Sequence, residues 1–130
     1  MRRALTWAAA TVLVAGVASG AGMMRMVVAD LPYARVWEAA VRAVEGYPVE
    51  RAADGVIVTG RIERPPREGE EAFERVAERV TLRVEASGDR ITRVTVEVEA
   101  EGRREGSWVP ISETEATARA ILARLRDAIG

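Results

Sequence analysis

Cysteine, histidine, lysine, asparagine and glutamine are all absent from this chain of 130 residues. Each absence removes a chemistry. Without Cys or His there is no thiolate nucleophile, no imidazole base, and no sulfur or imidazole ligand for zinc, copper or an iron–sulfur cluster. Without Lys there is no Schiff base. Aromatic residues are scarce, at three Trp, two Tyr and one Phe, and 20 acids face 19 bases, all of them arginine, for a net charge of −1. A nucleic-acid binder needs a basic excess and stacking aromatics, so no nucleic-acid partner is expected. Carboxylates, hydroxyls, arginines and backbone amides remain, which in principle serve a glycosidase-like acid pair or an oxygen-ligand calcium site. Neither can be placed in the sequence. Ser107 and Ser112 have no base to activate them. No catalytic residue, cofactor-binding residue or metal ligand can be named, no cofactor is implied, and the chain is not expected to be an enzyme.

What is present begins with a leader. Met1 to Arg3 carry positive charge, Ala4 to Val17 are apolar, and the small residues Ala18, Ser19, Gly20, Ala21 and Gly22 follow, the order of a secretory signal. Ala18 and Gly20 suit the −3 and −1 positions of a cleavage site, giving a signal peptide over residues 1–22. No charge occurs from Ala4 to Met24, so an uncleaved membrane anchor is the competing reading, with membrane association running through residues 4–24. A cytosolic chain with an apolar N-terminus is the third. The stretch LVAGVASG has the outline of a lipidation box, but Val17 stands where the acceptor cysteine would be, which rules out thioether lipidation there. The expected location is periplasmic, or inner-membrane anchored with the domain in the periplasm. Loss of Arg2 and Arg3 with the leader would move the net charge from −1 to −3.

Residues 30–130 suit a single small domain. In DLPYARVWEAAVRAVEGYP, the residues Tyr33, Val36, Trp37, Ala40, Val41, Val44 and Tyr47 make one helical stripe, with Asp30 as N-cap, Pro32 in the first turn and Gly46 past the end. Val49 to Arg51 and Val56 to Glu63 read as a hairpin about Asp54-Gly55, with Val56, Val58, Gly60 and Ile62 on one face. RPPREGEEAFE reads as a solvated connection, and Glu70 and Glu71, an acid pair on paper, as part of its charge run. Val80, Leu82, Val84 and Ala86, then Val94, Val96, Val98 and Ala100, alternate with polar residues as two strands. Matching faces across them requires Val84 opposite Val94, Leu82 opposite Val96 and Val80 opposite Val98, through a three-residue loop Gly88 to Arg90. The pattern S-x-x-E at Ser112 and Glu115 caps a last helix with Ala118, Ile121, Leu122, Leu125 and Ile129 inward.

These elements predict an α+β fold: a two-layer sandwich with an antiparallel four-stranded sheet covered on one face by two helices, in the order α-β-β-β-β-α, after the N-terminal apolar segment. Trp37, in the helix stripe, is expected in the core. Trp108, in the loop EGSWVP, is the candidate partner-binding residue, with simple packing as its alternative. Arg79, Arg83, Arg93, Glu97 and Glu99 share the other sheet face, where mixed sign favours a solvated surface over an anion site.

The leader with LVAG-x-AS, the pair Val36-Trp37, the glycine-ended helix and the strand entered through Asp54 to Ile57 resemble small proteobacterial envelope lipoproteins, including the repeated domains of BamC-like proteins. The resemblance covers about a third of the chain and implies an envelope location and a helix-covered antiparallel sheet. It transfers no catalytic residue. The expected function is therefore a non-enzymatic cell-envelope domain that binds an envelope protein or steadies a membrane-associated assembly, with a small apolar-ligand or lipid carrier as the alternative.

Overall fold

Strand pairing between residues 75 and 104 organises the molecule. The computed structural model describes residues 7–8, 24–112 and 114–130. Its elements are β1 (Trp7–Ala8), β2 (Met24–Ala29), α1 (Tyr33–Ala43), β3 (Val49–Ala53), β4 (Val56–Thr59), β5 (Ile62–Arg64), β6 (Arg75–Gly88), β7 (Ile91–Arg104), β8 (Ser107–Ile111) and α2 (Glu115–Ile129). β6 and β7 form a long antiparallel hairpin whose register sets Val84 against Val94, Leu82 against Val96 and Val80 against Val98, as face matching requires. Its turn is shorter than the three residues expected. Gly88 pairs with Ile91, leaving Asp89 and Arg90 as a two-residue turn, and a bulge between Ala86 and Gly88 absorbs the extra residue.

The other strands flank this spine in two sets. Towards the β6–β7 turn the order is β1-β2-β7-β6-β4-β3; beyond it, β5 pairs with β6 and β8 with β7. The expected four-stranded α+β sandwich is thus corrected. Among the described residues the chain is mostly β, with seven antiparallel strands besides the short β1, two helices, and strand outweighing helix about two to one. Three physical causes account for the added strands. Thr59 ends β4, so that Val56 to Glu63 is not one strand but β4 and β5, which lie on different stretches of β6. Glu105 and Gly106, with φ of 53° and 81°, close a tight turn that folds the supposed loop EGSWVP back on β7 as β8. MRMVVA, obscured by the leader before it, pairs with β7 along its whole length as β2. The signal-peptide or anchor reading falls almost wholly on residues 1–6 and 9–23, outside the described residues. Among the described residues no helix is long and apolar enough to cross a membrane.

Both helices lie on one sheet face. Val36, Ala39, Ala40, Ala43 and Val44 of the first helical segment and Ala118, Ile121, Leu122, Leu125 and Ile129 of α2 meet Ile57, Val80, Leu82, Val84, Val94, Val96 and Val98 from the sheet. Ile57 and the fully buried Thr59 face this core, whereas Val56 and Val58 share the other face of the sheet. The Thr59 hydroxyl accepts the Val80 N–H at 2.9 Å, so its polarity is satisfied inside. Trp37 is half-buried at the core edge, stacked on Tyr33. Neither helix start follows its expected cap. Pro32 occupies the first N-cap and its carbonyl accepts the N–H groups of Arg35 and Val36; Thr114, not Ser112, is the second. Glu115 instead bonds Arg25 at 2.6 Å and Arg119 at 2.5 Å.

A smaller core lies at the far end of the spine, where Val76, Ala100 and Ile111 pack with Phe73. Here Gly102 is required by proximity: a Cβ would sit 2.5 Å from Phe73 Cγ, inside van der Waals contact. The ring takes the place of the missing side chain, the pairing known for strand glycines elsewhere. The Glu74 N–H donates to the Arg103 carbonyl at 2.8 Å and pins this loop to β7.

Candidate interaction surface

The helices leave the second sheet face without a covering layer among the described residues. Trp108 stands on it, opposite Arg103 in the β7–β8 ladder. It is half-buried, and the Arg61 guanidinium lies over its ring at 4.3 Å from the centroid, with Arg103 at 6.0 Å. Arg61 also reaches Glu101 at 3.5 Å. The expected loop placement of Trp108 is therefore wrong, because a strand rather than a loop presents it. A guanidinium over an indole is worth about 0.5–1 kcal/mol at such exposure, and it leaves the ring half-exposed.

Of the charges predicted for this face, Arg79 and Arg93 form ion pairs, and further arginines along it pair with neighbouring glutamates. Glu85 meets Arg93 at 3.2 Å, Arg79 meets Glu50 at 3.7 Å, Arg103 meets Glu74 at 3.8 Å, and Arg75 meets Glu63 at 2.5 Å. Exposed pairs of this kind contribute only about 0–1 kcal/mol each, so separating them to admit a partner costs little. Between them lie half-buried apolar side chains, Met26 and Val28 from β2 and Val56 and Val58 from β4.

A second polar constellation escaped the sequence reading. Glu78 shares the inward face of β6 with Val76 and Val80 and is 5% exposed. Arg64 of β5 donates to Glu78 Oε2 at 3.0 Å and grips Glu70 bidentately, at 2.7 and 3.0 Å. Thr117 of α2 donates to Glu78 at 2.7 Å and accepts from Arg67 at 3.1 Å. Glu70 is thus buried, correcting its reading as a solvated charge, whereas Glu71 is exposed as expected. The Arg64 guanidinium holds the Glu70 carboxyl below the usual carboxylate range; burial opposes this and the Arg67 N–H reinforces it. Glu70 in turn raises the Arg64 pKa. Both acids are engaged by Arg64, so the cluster is a charge-assisted clamp between β5, β6 and the loop that carries Glu70. The available signal was Glu78 itself, a charge at an inward position, which must find a partner to be buried.

Beside the clamp is a cleft of about 360 Å³ lined by Glu63, Arg64, Pro65, Pro66, Glu74 and Arg75. Among the described residues no group of carboxylates is placed to hold a metal ion. No family model matches the chain, and no curated protein matches it. Neither comparison supplies a relative to set beside the envelope-lipoprotein resemblance.

Proposed function

We propose that this protein is a non-enzymatic cell-envelope module that docks a partner protein, as an assembly accessory, on its open sheet face around Trp108. The observation that carries the reading is a half-exposed indole, with Arg61 over its ring, on a strand of a sheet face that no helix covers among the described residues. A preformed aromatic surrounded by arginines and weak ion pairs has the composition of an interface centre with a polar rim. The envelope setting rests on the leader and on the lipoprotein resemblance. The carrier alternative has less behind it, because charged residues and prolines line the cleft where an apolar ligand would want aliphatic walls.

A photo-crosslinking amino acid placed at position 108 in the native host tests this, with the exposed position 45, in the turn after α1, as control. One recurrent adduct at 108, missing at 45, is expected. With that partner in hand, Trp108→Ala should weaken its binding about 30-fold, the equivalent of about 2 kcal/mol for an aromatic anchor, without changing the melting curve of the free domain by more than a few degrees. Equal labelling at both positions, or an unchanged dissociation constant, refutes the reading.

A further inference from the structure

We infer that the outer edge of β2 is a strand-acceptor site for an extended apolar segment of a partner chain, occupied here in cis by β1. Trp7 and Ala8 pair antiparallel with Ala29 and Val28 at that edge. Among the described residues, nothing else pairs with it, although β2 continues to Met24. A sheet edge presents a row of unpaired N–H and C=O groups and templates another strand unless it is blunted. The opposite edge is blunted: β3 is exposed throughout, carries Glu50 and Arg51, and has a bulge between Val49 and Arg51. β2 has no proline, no register shift in its pairing with β7, and a single charge. That charge, Arg25, is drawn beneath the sheet to Glu115, leaving Met26 and Val28 as side chains of the open face.

The chemistry of the occupant follows from the seated Trp7 and Ala8 and from the sequence around them. Leu5 to Val12, LTWAAATV, is uncharged, without proline and mostly apolar, and a partner strand of the same character would add by main-chain hydrogen bonding, with Met and Val contacts setting the register. Removal of residues 1–22 as a signal, or their engagement by a membrane, would take β1 away and open the edge. This inference stands apart from the Trp108 surface and survives its failure.

The test uses the full chain and a labelled synthetic peptide of sequence LTWAAATV. Ala8→Pro should unseat β1, speed hydrogen exchange at Val28 and Ala29, and raise peptide affinity about 10-fold or more, because an intramolecular competitor at millimolar effective concentration is removed. Adding Val28→Lys to Ala8→Pro should reverse that gain while circular dichroism stays unchanged. Peptide binding no tighter to Ala8→Pro than to the parent, or insensitive to Val28→Lys, overturns the inference. So does a dimer of Ala8→Pro that excludes the peptide, which would make the occupant a second copy.

Discussion

Arg64→Ala should destabilise the fold by about 3–5 kcal/mol, the cost of leaving buried charge without its partner, measured as a shift of the urea midpoint at pH 7. The size comes from what is stranded. Glu78 is 5% exposed and Glu70 8% exposed, and Arg64 is the group that bonds both. Arg67 stands 3.9 Å from Glu78, too long to replace a hydrogen bond. A domain of this size has about 5–15 kcal/mol in total, so the loss takes a large fraction. The same variant should change the response to acid. Since Glu70 is held below its ordinary value, its contribution is complete above an unfolded-state pKa of about 4.3 and is lost as pH falls through the lower folded value. In Arg64→Ala the largest cause of that depression is gone, so the slope of stability below about pH 5 should flatten. An unchanged midpoint and an unchanged acid slope would show that the clamp carries no stability. Replacing Arg64, Glu70 and Glu78 together by apolar residues of similar volume should be far milder, because nothing charged is left buried.

Leu82→Ala is the other large effect, about 2–5 kcal/mol and towards the upper end, because cavity cost grows where the walls cannot relax. Leu82 is fully buried and lies in the middle of the sheet, with Ile57 directly opposite on one side and Val96 on the other. Both neighbours are fixed by ladder hydrogen bonds, and the helices close the site from above. Urea unfolding of Leu82→Ala and of Val84→Ala, nearer the β6–β7 turn, measures the contrast. Equal and small losses, below about 1 kcal/mol, would mean that the core closes over the gap.

The sequence carried the spine and the core stripes most clearly. Alternation over Val80 to Ala100 is strong enough to fix register, because a slip by one residue would send every valine to the wrong face. The first helical segment and α2 are legible for the same reason, each carrying one apolar stripe. What stayed hidden depends on context. β2 has too few residues to show a period beside an apolar leader, and β8 holds Pro110, which argues against a strand except at an edge, where it lies. Trp108 lies in a strand where the sequence suggests a loop, because the Glu105-Gly106 turn that folds it back on β7 has no strong signal beside it. The clamp was missed because Arg64 and Glu78 are fourteen positions apart and only the β5–β6 pairing brings them together.

The spine runs through two environments. Near residues 91–98 it is roofed by both helices, whereas near 100–104 its apolar support is the cluster of Val76, Ala100, Ile111 and Phe73. One continuous strand therefore belongs to two cooperative units of unequal opening free energy. Amides of residues 94–98 should exchange only on global unfolding, while those of 101–104 exchange through a smaller local event that releases β8 and leaves the rest of the sheet closed. The Arg64 clamp sits at the junction, with Thr117 reaching it from α2. Its place in the molecule is that of a coupling bolt, setting how far opening at one end is felt at the other.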